Sequence, residues 1–207
     1  MQQQSIYRLL PTGATTLSGA LTCVAVVAVS PVMSIKSINY TNMKQIINPY
    51  MPLSEHFTHG EMLSSQKATE KGIPNTPLEK HITAMKNLAV RCLEPTRQHF
   101  GLPILVTSGF RSVLLNTEVK GASNSQHMAG EAADITIPRK YWPFCYTCHE
   151  QIARLLFTWM KDNIDLDQLI LEHSGLSWWV HVSCRVNFRH NRHQKLKIGN
   201  GKTTIVE

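Results

Sequence analysis

The chain has 207 residues, 43% apolar and 17% charged, with a formal net charge of +7. This composition excludes an intrinsically disordered chain and allows one well-packed domain plus a tail or two. The positive balance and a pI near 9.3 favour an anionic contact, which nucleic acid, an acidic membrane face or a phosphate-bearing cell wall would each satisfy.

Residues 1–45 differ in character from the rest of the chain. Gln2 to Gln4 and Arg8 lead into an apolar run, Leu21 to Val29, about the length of a signal-peptide core and too short for a comfortable membrane span. Arg8 is a thin basic flank, Pro31 disfavours cleavage after Ser30, and Met33, Met43 and Met51 are all plausible starts. An export signal or membrane-contacting anchor and an extension foreign to the domain both stay open. The domain proper is read as residues 46–186, with 187–207 a basic C-terminal tail.

Thr58-His59-Gly60-Glu61 has the form of a capping box and opens a short helix through Ser65. The polar stretch SSQKATEKGIPNTP follows as a loop. Thr76-Pro77-Leu78-Glu79 supplies an N-cap, a proline at the first helical position and a glutamate three residues after the cap. From there Leu78, Ile82, Met85, Leu88, Ala89, Cys92 and Leu93 recur at helical spacing. Pro95 should kink that helix and Gly101 end it. Cys92, on its apolar face, is expected as a small buried hydrophobe. The five cysteines, odd in number and thinly spread, exclude a disulfide framework and leave the compartment open.

Pro103 to Thr107 has strand character and delivers SGFRS, Ser108 to Ser112; SVLLNTEV after it suits a brief helix. Arg111 there could hold a substrate carboxylate with its planar fork, or pair with a local acid at the surface. SQHMAGEAADI, Ser125 to Ile135, puts His127 and Asp134 seven residues apart with small residues between. Such a pair can converge on a divalent cation, and zinc suits mixed nitrogen and oxygen ligands. The same two residues also describe a solvated loop histidine and a capping aspartate. Ala132 to Ile137 alternates like a strand, which would put Asp134 on a rigid platform.

The next segment, PRKYWPFCYTCHEQ, is turn-rich, aromatic and basic. Its Cys145-Tyr146-Thr147-Cys148-His149 matches the c-type haem attachment pattern, but no second axial ligand accompanies it, so a local thiol pair is the plainer reading. From about His149, apolar residues at helical spacing mark an amphipathic helix ending at Asn163. DQLILE, Asp167 to Glu172, then reads as a buried strand, and WWVHVSC, Trp178 to Cys184, as its partner. His181 is the candidate third ligand. Glu172 faces either His181 or solvent, depending on a one-residue choice of register. On the ligand face it would suit a general base. Much of the positive charge lies beyond Arg185, in a stretch expected to be solvated and partly disordered. Without interleaved aromatics it carries no sign of specific nucleic-acid binding.

SGFRS, SQHMAGEAADI, DQLILE and WWVHVS, in this order and spacing, resemble the zinc D-Ala-D-Ala carboxypeptidase family (peptidase M15-like), closest to its short, prophage-type peptidoglycan peptidases. The likeness runs from about Leu53 to about Cys184. It implies an α+β fold of the Hedgehog/DD-peptidase kind, a small antiparallel sheet packed against helices. It also implies one zinc ion held by His127, Asp134 and His181. Arg111 would steady the substrate or a developing oxyanion, and Ser125 would lie near the substrate's amino end. Many members carry a catalytic glutamate three residues before the last histidine, where this chain has Trp178. The branch it resembles places that base at the end of the LILE strand, which gives Glu172. The implied activity is metal-assisted hydrolysis of peptidoglycan stem peptides, with a terminal (carboxypeptidase) or an internal (endopeptidase) cut, by a monomer in the periplasm or outside the cell, or after phage-type release from the cytoplasm. The bland alternative is a catalytically inactive, zinc-containing cell-wall binding module of the same fold.

Overall fold

The computed structural model describes residues 48–206; the expected leader, residues 1–45, lies outside them. One sheet is built from β1 (Leu105–Ser108), β2 (Ala132–Thr136), β3 (Gln168–Ser174), β4 (Ser177–Ser183), β5 (Gln194–Gly199) and β6 (Lys202–Ile205). Its spatial order is β1-β2-β4-β3-β5-β6. Neighbours are antiparallel except β3 and β5. With the helices α1 (His59–Leu63), α2 (Gln66–Lys71), α3 (Glu79–Leu88), α4 (Glu94–Phe100), α5 (Val113–Glu118) and α6 (His149–Asn163), the chain is α+β.

Strand alternation divides the sheet's side chains between two faces. Ala133, Ile135, Leu169, Leu171, Val180 and Val182 are buried and share one core with Met85, Leu88, Leu93, Ile152, Leu156 and Met160 from the helices. Full burial of one such leucine or methionine stabilises the fold by about 1.5–3 kcal/mol. The other face carries a row in register across five strands: Ser108, Asp134, His181, Ile170 and Leu196. Helices α3 and α6 thus anchor the sheet from one side, and the row carrying Ser108, Asp134 and His181 is left for chemistry on the other.

The capping box at Thr58 is present: Glu61 N–H donates to Thr58 Oγ1, and Thr58 N–H donates to Glu61 Oε2 at 2.8 Å. The helix stops at Leu63, and the stretch expected as a loop contains α2. Ser65 caps α2 by accepting from Ala68 N–H, and Gly72 ends it at φ 62°. Thr76 and Pro77 do not start α3. Its N-cap is Leu78, 61% exposed, whose backbone N–H donates to His81 Nδ1 at 3.1 Å. A side-chain nitrogen from inside the first turn thus accepts the N-cap amide, the part expected of Glu79, and no side-chain oxygen caps this helix.

Pro95 does not kink the helix by itself. A π-turn, Ala89–Leu93, separates α3 from α4. Proline lacks an amide hydrogen and its ring crowds the carbonyl four residues back, here that of Arg91; a widened turn just before it relieves both problems. Gly101 ends α4 at φ 61°. Cys92 is fully buried as a core residue.

The largest departure from the sequence reading is the C-terminal segment. It folds: β5 pairs in parallel with β3, and β6 returns against β5. Leu196 and Ile198 alternate with Lys195 and Lys197, the period of a half-buried strand. The anchor is Asp167, 0% exposed. It accepts from Arg185 Nε at 2.8 Å, from Arg192 N–H at 2.9 Å and from Arg192 Nε at 3.0 Å. Two cations expected to be solvated therefore pin the segment to the start of β3. Among the described residues no helix is long and apolar enough to cross a membrane.

Candidate metal centre

His127 arrives on a short 3-10 turn, Gln126–Ala129, which Gly130 ends at φ 77°. A Cβ at Gly130 would stand 2.6 Å from the His81 carbonyl oxygen, so both backbone conformation and space demand glycine. The SGFRS loop meets this turn directly. Arg111 N–H donates to the His127 carbonyl, and Phe110 N–H donates to the Met62 carbonyl at 2.7 Å. At Gly109 a Cβ would collide with that same Met62 oxygen. The loop can thus press close enough for the Gly109 carbonyl to lie 2.7 Å from His127 Nδ1. A carbonyl only accepts, so Nδ1 carries the proton and Nε2 presents a lone pair.

That lone pair meets two other ligand atoms. His127 Nε2 lies 3.2 Å from His181 Nδ1 and 3.3 Å from Asp134 Oδ1, and the latter two are 3.0 Å apart. All three residues are buried and could hold a metal ion together; among the described residues they form the one such group. Tetrahedral zinc with ligand bonds near 2.0–2.1 Å places its ligand atoms about 3.3 Å apart. The triangle matches that edge length, and two imidazole nitrogens with one carboxylate oxygen are a donor set zinc accepts. Burial alone would raise the Asp134 pKa. When the His127 and His181 rings are protonated, their charge and hydrogen bonding overcome this and hold the carboxyl well below the usual carboxylate range; in the neutral form that binds a metal, the ion takes over that role. A permanently ionised oxygen is what a metal ligand requires.

The register left open by the sequence is settled by the hairpin. Ile170 pairs with His181 and Glu172 with Trp179, so Glu172 shares the sheet face of Asp134 and His181. A two-residue turn at Gly175 and Leu176 sets this pairing, with Gly175 at φ 58°. Burial, and then the negative charge of Asp134, raise the Glu172 pKa. Arg111 pairs with an acid inside the site, the second of the two readings its sequence position allows. Its Nη2 donates to Asp134 Oδ2 at 2.7 Å and its Nε to Ser108 Oγ at 2.9 Å. It braces a candidate ligand. Ser125 precedes the 3-10 turn and lines the cleft beside His127.

Several contributors carried no sequence signal of their own: the Gly109 carbonyl, the Arg111–Asp134 pair, and Gln126, whose Oε1 accepts from Arg192 Nη2 at 3.0 Å. Trp179, two residues before His181 and therefore on its face, was legible from strand alternation alone. Its indole nitrogen is buried beside Glu172 in the cleft that both line, and its N–H favours the ionised form of that carboxyl, short of offsetting burial. Cys145 and Cys148 are exposed free thiols before α6, and neither belongs to the triad.

Similarity to known proteins agrees with this geometry. Residues 55–160 match a family model described as Peptidase M15, a span that includes His127 and Asp134 and stops short of Glu172 and His181. A stretch of 33 residues is 64% identical to a zinc D-Ala-D-Ala carboxypeptidase of Streptomyces albus G. That stretch covers 16% of this chain and 13% of the relative.

Proposed function

This chain belongs to the peptidase M15 family, and from that premise we propose that it is a zinc-dependent peptidase. Its substrates are the D-amino-acid-containing peptide stems of bacterial peptidoglycan. The observation that carries the reading is the triangle of His127 Nε2, Asp134 Oδ1 and His181 Nδ1, on the open face of the sheet with Glu172 beside it. The similarity to a carboxypeptidase of D-Ala-D-Ala peptides supports the substrate class.

Zinc, held by His127, Asp134 and His181, would supply a Lewis acid that polarises a carbonyl and acidifies water. The remaining work falls to the chain. His127, fixed through Gly109, and Asp134, fixed through Arg111 and Ser108, keep their ligand atoms aimed without reorganisation. Glu172 takes a proton from the attacking water on its carboxylate and returns it to the departing amine. Its raised pKa, from burial and from Asp134, serves both transfers, because an acid-base group works best near the operating pH. Arg111 keeps a positive charge at the cleft junction, where the scissile carbonyl oxygen gains negative charge. Ser125 lies where the substrate's amino side would run. The substrate puts this work in the cell wall, reached by export or by lysis.

Zinc-loaded protein incubated with purified sacculi, with the muropeptides weighed by mass spectrometry, tests the reading. Stem peptides are cut by the wild type and by neither His127→Ala nor Glu172→Gln, and only the first variant loses its zinc. Intact sacculi after exposure to stoichiometrically loaded wild type would overturn the peptidase and favour the binding module.

A further inference from the structure

The triad does not stand at the end of a pocket. Two cavities, of about 650 Å³ and about 680 Å³, meet at it, and Arg111, Asp134 and Glu172 line both. One arm runs past Gln66 of α2, Val119 after α5 and Trp179 of β4. The other runs past Asn124 and Ser125 to Leu196 and Ile198 of β5. Each volume falls in the range of about 300–1,000 Å³ that houses a drug-sized ligand. Neither arm is a stub.

Charge supplies the second observation. Arg111, Arg185 and Arg192 line the arms, each committed to a buried carboxylate, while Lys67, at the α2 end of one arm, has only a loose surface contact with Glu70. Lys67 stands 3.9 Å from Glu70, Arg111 2.7 Å from Asp134 and Arg185 2.8 Å from Asp167, which Arg192 shares. An enzyme that removes the last residue of a peptide must desolvate a terminal carboxylate, and that needs a cation set aside for it. Arg111 comes nearest to the role. It sits where the arms meet, beside the bond to be broken, and not one residue beyond it.

We propose that the chain cuts inside a peptide, with substrate residues lying in both arms: it is an endopeptidase of cross-linked or glycan-attached stems. This deepens the zinc-peptidase reading and rests on it. Water adds its hydroxyl to the scissile carbonyl carbon and its proton to the leaving amine, the C–N bond breaks, and both products remain peptides.

The test gives the zinc-loaded full chain two substrates, a soluble stem pentapeptide ending in D-Ala-D-Ala and purified cross-linked sacculi, and identifies products by mass. Internal cleavage of the sacculi, with free D-alanine from the pentapeptide at least tenfold slower, is the expected result. Release of D-alanine as fast as any internal cut overturns the inference and leaves the peptidase standing; cleavage of neither substrate overturns both. Val119→Trp and Asn124→Trp each narrow one arm at an exposed position. Each should raise KM for the long substrate about tenfold or more with zinc content unchanged. If filling one arm has no effect on KM, the substrate does not occupy it and the proposal fails.

Discussion

A single carbonyl decides which nitrogen of His127 faces the cleft. Gly109 can offer it only because its missing side chain lets the loop lie on Met62. Partners of this kind hold metal ligands in place, and their loss costs about 10–100-fold in affinity. Arg111→Lys, which replaces a fork spanning Ser108 and Asp134 by a point charge, should therefore weaken zinc binding by about tenfold or more in chelator competition. An unchanged affinity would show that Asp134 needs no bracing. Gly130→Ala forces a side chain into left-handed backbone and onto the His81 carbonyl. It should destabilise the fold by about 1–3 kcal/mol, read from the denaturant midpoint. At this scale the three residues that the structure brings together were legible, because His127, Asp134 and His181 sit in distinctive local sequence. Their supporting bonds were not, since a backbone carbonyl and an arginine's choice of partner are tertiary facts.

Among elements, β5 has the strongest bearing on the site. Leu196 and Ile198 line one arm of the cleft, and the strand is held through Asp167. Burial raises the Asp167 pKa, but hydrogen bonds from Arg192 and Arg185 outweigh this and bring it down to about 2. A depressed carboxylate stabilises the fold fully above its unfolded pKa of about 3.9 and loses that contribution as pH falls through the folded value. Stability should thus decline between about pH 4 and pH 2 through this group, by about 1–2 kcal/mol after discounting the solvent-exposed arginines. Asp167→Asn should flatten that limb of a pH–stability profile; an unaltered profile would show the anchor to be idle. The basic alternation Lys195-Leu196-Lys197-Ile198 is a strand pattern that charge content concealed. The hairpin between β3 and β4 was visible as two strands, while its register, and with it the face of Glu172, depended on the turn at Gly175. The π-turn before Pro95 was not foreseeable from periodicity, since five residues of widened helix leave the apolar spacing almost unchanged.

In the whole molecule, stability and chemistry are assigned to opposite faces of one sheet. Leu156 of α6 is completely buried on the helix side. Leu156→Ala should cost about 2–5 kcal/mol in chemical denaturation while zinc stoichiometry at low temperature stays that of the wild type. Loss of zinc in a still-folded Leu156→Ala protein would show the two faces to be coupled. Among the described residues, Arg185 and Arg192 are committed to Asp167 and Lys195, Lys197 and Lys202 lie on β5 and β6, so the basic C-terminal residues belong to the folded sheet and form no detached tail. The most direct measurement is an anomalous diffraction map at the zinc edge from crystals of the zinc-loaded chain. The account predicts one peak about 2.0–2.2 Å from His127 Nε2, His181 Nδ1 and an oxygen of Asp134. A peak at Cys145, Cys148 and His149 with none at the triad, or no peak at all, would contradict it.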